Sequence, residues 1–110
     1  METPINTIEQ KLIEQRVIEA LHLCFDPEIP VNIYDLGLVY DIAVNELAEV
    51  TITMTLTTPH CPAAQSMPGE VQQRASAVPS VASAKVNVVW TPPWNMSMMS
   101  EAAKLEMGFM

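Results

Sequence analysis

Residues 50–57 alternate strictly between an apolar side chain and threonine, in the order Val-Thr-Ile-Thr-Met-Thr-Leu-Thr. A period of two is typical of a β-strand that turns one face to the core and the other, here a row of hydroxyls, outward. The alternation ends at Thr58-Pro59, because proline has no N–H to give to a sheet ladder. The sequence therefore predicts a strand that stops just before Cys61-Pro62.

Cys61 is the candidate functional residue at the end of this pattern. Pro62 follows it, and proline is favoured in the first turn of a helix. We therefore expect Cys61 at a strand-to-helix corner, where the free N–H groups of a helix start lower the pKa of a thiol and favour the reactive thiolate. A half-buried structural thiol is the alternative. The loop position, the flanking prolines and the surrounding hydroxyls favour a functional thiol.

The composition indicates one folded domain over residues 1–110, because 49% of the residues are hydrophobic. Thirteen acidic residues against five basic ones give a net charge of −8, which argues against direct nucleic-acid binding. No apolar run reaches membrane-spanning length, and residues 1–6 lack the basic start of a signal peptide. We expect a cytoplasmic protein that does not bind membranes.

The chain has two cysteines, Cys24 and Cys61, and both are expected to be free thiols in a reducing compartment. An iron–sulfur cluster usually takes four cysteines, so a permanent cluster held by one chain is excluded by counting. A labile cluster shared between two chains through Cys61 remains open. Stable zinc is not expected, because His60 and Cys61 are neighbours and no second ligand pair stands at a familiar spacing. The sequence thus predicts no stably bound cofactor.

The N-terminal part predicts a helix over residues 7–24, with Asn6 or Thr7 as its cap. Helical spacing places Cys24 on the buried stripe and His22 on the solvated face. A strand over residues 38–44 follows, in which one face carries Leu38, Tyr40, Ile42 and Val44. A hairpin connection then leads into the Val50 strand, so these two strands should pair antiparallel.

The pattern after Pro62 predicts a helix that Pro68-Gly69 interrupts, giving a short turn at 62–67 and a main segment at 69–78. A strand over 84–90 follows, and the crossover makes it parallel to the Val50 strand if the two are neighbours. Residues 91–110 form a tail with a short helix, for which Ser97 and Ser100 are candidate caps. Trp94 is expected to pack against the sheet edge, with a partner or dimer contact as the alternative.

Three motifs, in order, carry a resemblance to a known family. They are Asp26-Pro27-Glu28-Ile29, Asp35-Leu36-Gly37-Leu38-Val39-Tyr40 and Thr55-Leu56-Thr57-Thr58-Pro59-His60-Cys61-Pro62. Over about residues 9–90 the chain resembles the MIP18 family, also called DUF59. This family includes the SUF-associated iron–sulfur assembly proteins and the phenylacetate-oxygenase maturation subunit of bacteria. The tail, with Thr91-Pro92-Pro93-Trp94 and Met99-Ser100-Glu101, is similar to the ending of the SUF-associated branch.

The resemblance implies a small α+β domain, with a three-stranded mixed sheet and helices packed on it in the order αββαβ plus a short C-terminal helix. It implies a site made of Asp26, Glu28, Thr57, Thr58 and Cys61, with the loop at residues 25–30 folded back near the thiol. The two carboxylates would raise the pKa of the Cys61 thiol, while the helix start and threonine hydrogen bonds would favour the thiolate.

The first hypothesis is a non-enzymatic factor in iron–sulfur cluster assembly or transfer, in which Cys61 is a transient ligand of iron or of a cluster. Other assembly proteins and apo client proteins are its expected partners, and a homodimer is consistent with a single accessible thiol. One alternative is a protein-interaction module that docks partners through Trp94 and the methionine-rich tail. A thiol-dependent enzyme is the other alternative.

Overall fold

The fold is given by a computed structural model that describes residues 5–25, 31–56 and 63–106. Within these ranges the elements are α1 (Thr7–Leu21), β1 (Val39–Val44), β2 (Glu49–Met54), α2 (Ala63–Ser76), β3 (Ser83–Val88), a 3-10 turn (Met96–Met98) and α3 (Glu101–Glu106). None of the helices in the described ranges has the length and apolar character needed to cross a bilayer.

The three strands form one mixed sheet in the order β1-β2-β3. β1 pairs antiparallel with β2, and β3 pairs parallel with β2, so Val50 lies between Val44 and Ala84. Both orientations agree with the sequence prediction. α1 packs on β1, α2 packs on β3, and the two helices contact each other. The chain is therefore the small α+β domain that was expected, and its central strand ends shortly before the predicted site residues in the sequence.

The core lies between the sheet and the helices. β2 contributes Val50, Ile52 and Met54, which are all at most 1% exposed, while Thr51 and Thr53 on the opposite face are only partly covered. The helices contribute buried residues at helical spacing, namely Ile13, Val17, Leu21, Met67, Val71 and Ala75. Burying each of the larger side chains is worth about 1.5–3 kcal/mol, so the alternation of β2 decides which face the helices cover.

The face assignment of β1 was wrong at Tyr40. The pairing shifts between Val39 and Asp41, so that Tyr40 is an extra residue in β1, a β-bulge. Val39 therefore joins Ile42 and Val44 against the core. The Tyr40 side chain is directed elsewhere, and its hydroxyl donates a 2.7 Å hydrogen bond to the Pro92 carbonyl.

The first helix begins as predicted but ends earlier. Asn6 is the N-cap, and its side-chain oxygen accepts a 2.8 Å hydrogen bond from the Glu9 N–H. α1 ends at Leu21, residues 22 and 23 form a turn, and Cys24 lies beyond the helix. Cys24 is nevertheless fully buried, which confirms its assignment to the core.

The predicted break at Pro68 is wrong, because α2 runs without interruption from Ala63 to Ser76 with Pro68 inside it. Proline removes one backbone hydrogen bond and costs about 3 kcal/mol in a helix interior. Met67 and Val71 lie on either side of Pro68 and are both at most 1% exposed. Their burial, at about 1.5–3 kcal/mol each, offsets that cost and holds the helix together across the proline.

The C-terminal segment belongs to the fold rather than trailing from it. Met99 and Ala103 are 5% and 1% exposed and join the main core. The Ser100 hydroxyl accepts a 3.1 Å hydrogen bond from the Ala103 N–H, so Ser100 caps α3 as one of the two predicted candidates. Trp94 packs against the core from the surface. Residues 92–103 thus form a strap over the loop that leads into β1.

Candidate functional site

All five predicted site residues lie outside the described residues. Asp26 and Glu28 fall in the range 26–30, while Thr57, Thr58 and Cys61 fall in the range 57–62. In the sequence, Cys61 lies between the end of β2 at Met54 and the start of α2 at Ala63. The strand and the helix that the sequence predicted on either side of Cys61 are therefore both present.

A continuous ladder of backbone hydrogen bonds links the residues that precede these two ranges. The Ile33 N–H donates to the Cys24 carbonyl over 2.8 Å, and the Leu38 N–H donates to the Ile33 carbonyl over 3.1 Å. The Thr55 N–H then donates to the Leu38 carbonyl over 2.8 Å. Cys24 comes two residues before Asp26, and Thr55 comes two residues before Thr57. Cys24 and Thr55, which precede the two ranges, are thus connected through backbone hydrogen bonds.

Cys24 is not a candidate for thiol chemistry. Its side chain is fully buried in the core, and its sulfur has only a weak contact at 4.0 Å with the Ala20 carbonyl. Burial raises the pKa of the Cys24 thiol from 9.0 to about 11, with a smaller lowering by Arg74 and a smaller raising by Glu70. A thiol with this pKa stays protonated near neutral pH and is a poor nucleophile or metal ligand.

Thr55 departs from the predicted outward row of hydroxyls. The residue is 0% exposed, and its Oγ1 has no hydrogen-bond partner within the part of the chain that the structure describes. A buried hydroxyl without a partner costs about 1–3 kcal/mol. Sequence reasoning missed this feature, because alternation alone places Thr55 beside the half-covered Thr51 and Thr53.

His22 and Asp35 come together at the C-terminal end of α1. The His22 Nε2 and the Asp35 Oδ1 are 3.8 Å apart, and the His22 ring lies against the Tyr34 ring with centroids 4.8 Å apart. The His22 Nδ1 is 2.8 Å from the Ile18 carbonyl oxygen. His22 was predicted to be a solvated helix residue, but its side chain is 39% exposed and contacts three other residues. No local sequence signal joins positions 22 and 35.

The motif at residues 35–40 holds the C-terminal strap. The Asp35 carbonyl accepts a 2.8 Å hydrogen bond from the Ser100 N–H, and the Leu36 carbonyl accepts one of 2.7 Å from the Trp94 indole N–H. Gly37 has a φ of +82°, and a Cβ at this position would lie 2.3 Å from the Met98 carbonyl oxygen. Within the described residues, this motif therefore has a structural role, which is to hold the C-terminal strap.

Over residues 5–25, 31–56 and 63–106, no three side chains of His, Cys, Asp or Glu converge in a way that could hold a metal ion. The expectation of no stably bound cofactor, and of a transient cluster at Cys61, remains a prediction.

Comparisons with known proteins identify the family. The sequence profile of a family described as iron–sulfur cluster assembly protein matches residues 14–88. This chain belongs to that family. The match runs from within α1 to the end of β3 and contains all three motifs singled out in the sequence. It therefore agrees with the resemblance found from those motifs.

Relatives in the iron–sulfur assembly family extend the match to most of the chain. An Fe-S protein maturation auxiliary factor of Porphyromonas gingivalis is 45% identical over 97 residues, covering 88% of this chain and 92% of the relative. The Fe-S protein maturation auxiliary factor SufT of Staphylococcus aureus is 37% identical over 86 residues, covering 78% of this chain and 98% of the relative. These curated relatives of the family are thus named for iron–sulfur protein maturation.

A solved structure supports the fold. The crystal structure of a DUF59 domain from Bacillus anthracis, with 40% identity, superimposes with a TM-score of 0.87 and covers 96% of this chain and 100% of that chain. The small α+β domain with a mixed sheet is therefore the fold of the family, as the resemblance implied.

Proposed function

We propose that this protein matures iron–sulfur proteins through the thiol of Cys61, which acts as a transient ligand for iron or for a cluster in transit. Asp26 and Glu28 position the thiol or contact iron, and Thr57 and Thr58 donate hydrogen bonds to the thiolate. The cluster is cargo rather than a resident cofactor. Other assembly factors and apo client proteins are the partners that deliver and receive it.

The observation that carries this proposal is the burial of Cys24. The chain has two cysteines, and Cys24 is fully buried with a pKa raised to about 11. Any thiolate chemistry of this chain therefore falls to Cys61. Membership in an iron–sulfur cluster assembly family supports iron or sulfide as the ligand of that thiolate.

The backbone ladder from Cys24 through Ile33 and Leu38 to Thr55 supports the proposed grouping of residues. Three backbone hydrogen bonds connect Cys24, which precedes the Asp26–Glu28 stretch, to Thr55, which precedes the Thr57–Cys61 stretch. Two carboxylates near a thiol raise its pKa, whereas hydroxyl donors and the start of α2 lower it. We therefore propose a Cys61 thiol whose protonation state changes when a cation approaches the carboxylates.

Substitution in cells tests the role of Cys61. Cells that depend on this protein receive either the wild type, Cys61→Ser or Cys24→Ala, and the activities of iron–sulfur enzymes are measured at equal protein levels. We expect Cys61→Ser to lower those activities while Cys24→Ala preserves them. Unchanged activities with Cys61→Ser would show that the thiol is not used.

Reconstitution tests whether a cluster is carried. The purified protein is incubated anaerobically with iron and sulfide, and its absorbance and its mass under native conditions are recorded. Because Cys61 is the one thiol of the chain proposed to bind iron, we expect any cluster to appear together with a dimer mass. A cluster on a monomer would contradict the proposed sharing between two chains.

The interaction-module alternative loses its main support, because Trp94 is engaged in the chain's own fold through the Leu36 carbonyl and the core. Deleting residues 91–110 would remove the buried Met99 and Ala103, so that experiment would report on folding rather than on partner binding. The thiol-enzyme alternative predicts fast alkylation of Cys61 together with turnover of a small substrate. Fast alkylation without turnover supports the maturation role instead.

A further inference from the structure

We propose that His22 and Asp35 form a binding site for a divalent transition-metal ion, separate from Cys61. The site would take one imidazole nitrogen and one carboxylate oxygen from the protein and complete its coordination with water. The inference does not depend on the proposed function, because it follows from the geometry of described residues alone.

The hydrogen bond at Nδ1 fixes the tautomer of His22. The Ile18 carbonyl oxygen lies 2.8 Å from Nδ1, and a carbonyl can only accept a hydrogen bond. In the neutral ring the proton is therefore on Nδ1, which leaves the Nε2 lone pair free. Metal-binding histidines almost always donate their other ring N–H to a carbonyl or a carboxylate in this way.

Asp35 is held from its other side. Its Oδ2 accepts a 2.9 Å hydrogen bond from the Asn32 Nδ2, and the Asn32 Oδ1 accepts one of 2.8 Å from the Asp35 N–H. The first bond holds the carboxylate and leaves Oδ1 facing His22, and the second holds the Asp35 backbone. Supporting hydrogen bonds of this kind behind a ligating carboxylate are typical of metal sites.

The distance between the His22 and Asp35 side chains is that of a loose ion pair, too long for a direct hydrogen bond and close to the separation of two ligands on one ion. The 3.8 Å between Nε2 and Oδ1 exceeds the roughly 2.7–3.2 Å of a hydrogen bond. Two ligands about 2.1 Å from one tetrahedral ion would be roughly 3.4 Å apart. A small rotation of either side chain closes that difference.

The charges around His22 and Asp35 favour a bound cation, and the site is open to solvent. His22 is the C-cap of α1, where the helix macrodipole presents partial negative charge, and the protein carries a net charge of −8. The side chains of His22 and Asp35 are 39% and 25% exposed, so water can fill the remaining positions. An imidazole ligand selects Zn²⁺, Fe²⁺, Co²⁺ or Ni²⁺ over Mg²⁺ and Ca²⁺, which prefer oxygen.

Zinc titration of the 110-residue chain, with ZnCl₂ alone as the probe, tests the site. Affinity is measured by calorimetry in a Cys61→Ser background, so that thiolate binding does not mask the weaker site. His22→Gln and Asp35→Asn should each weaken binding by about tenfold or more, because each removes one of two protein ligands. His60→Gln, which removes the other histidine of the chain, is the matched control and should leave the affinity unchanged.

Histidine ring resonances in the wild-type protein locate the ion even where a variant fails to fold. We expect Zn²⁺ to shift the His22 Cε1–H and Nε2 signals saturably, and the same concentration of Mg²⁺ to leave them in place. The proposal is overturned if Zn²⁺ leaves the His22 signals unmoved while pH alone shifts them, since His22 and Asp35 would then form a proton-dependent ion pair. It is equally overturned if His60→Gln, and not His22→Gln, removes the binding.

Discussion

The indole N–H of Trp94 donates a 2.7 Å hydrogen bond to the carbonyl of Leu36, 58 residues earlier in the chain. Leu36 belongs to the Asp35–Tyr40 motif, whose bulged Tyr40 donates a second hydrogen bond to Pro92. The two contacts fasten the C-terminal strap to the loop that leads into β1. A motif that carries the family resemblance thus also holds the C-terminal strap in place.

Replacing Trp94 with Phe should lower the free energy of unfolding by about 1 kcal/mol, because the ring still packs while the hydrogen bond to Leu36 is lost. Urea unfolding followed by far-UV circular dichroism measures the change. Trp90→Phe is the matched control, since Trp90 is 45% exposed and should tolerate the change within about 0.5 kcal/mol. Equal effects of the two substitutions would contradict the role given to Trp94.

Gly37→Ala should destabilise the protein by about 2–4 kcal/mol. The positive φ of +82° disfavours a side chain, and the new Cβ would lie 2.3 Å from the Met98 backbone oxygen. Gly69→Ala is the control, because Gly69 lies within α2 and a Cβ added there would have no atom of the described residues within 4 Å, so alanine should stabilise the helix by up to about 1 kcal/mol. Thermal unfolding of both variants should shift in opposite directions, and a shared direction would count against this account.

Thr55→Val should raise the free energy of unfolding by about 1–2 kcal/mol, because valine has nearly the same shape and removes a buried hydroxyl that lacks a partner among the described residues. Thr53→Val, at a partly covered position in β2, should change it by less than about 0.5 kcal/mol. Chemical unfolding gives both values. A loss of stability in Thr55→Val would mean that the hydroxyl is hydrogen-bonded after all.

The buried Cys24 thiol should make stability fall at high pH. Its folded pKa is raised to about 11 from 9.0, so above pH 9 the unfolded chain releases a proton that the folded chain keeps. The stabilisation is complete below pH 9 and is lost as pH rises through 11, by about 2–3 kcal/mol. Unfolding of wild type and Cys24→Ala, compared at each pH with a reductant present, isolates this contribution. A difference between the two that stays constant from pH 8 to 11 would refute it.

The sequence predicted those parts of the fold that short-range periodicity controls. The alternation of Val50, Ile52 and Met54 indicated the buried face of β2, and Asn6 was one of the two candidate caps of α1, with Thr7 as the other. The antiparallel pairing of β1 followed from a hairpin connection, and the parallel pairing of β3 followed from a crossover through a helix. These features depend on residues close together in the chain, and the structure agrees with all of them.

Features that depend on distant residues were missed. The bulge at Tyr40 brings its hydroxyl to Pro92, which the β1 pattern does not contain. The helix runs through Pro68 because Met67 and Val71 are buried under tertiary contacts that local propensity ignores. At the site, burial settles the role of Cys24, whereas the roles of Cys61 and its companions stay predictions because residues 26–30 and 57–62 lie outside the described ranges.

The strap over the Asp35–Tyr40 motif also sets an order of events during synthesis. The β1–β2 hairpin can pair as soon as Met54 has left the ribosome, but Leu36 and Asp35 must wait until Trp94 and Ser100 have emerged as well. Contacts between such distant positions form late and slow the completion of folding. A nascent chain, or one terminated before Trp94, therefore leaves the loop before β1 uncovered and open to quality-control proteases until Trp94 and Ser100 have emerged.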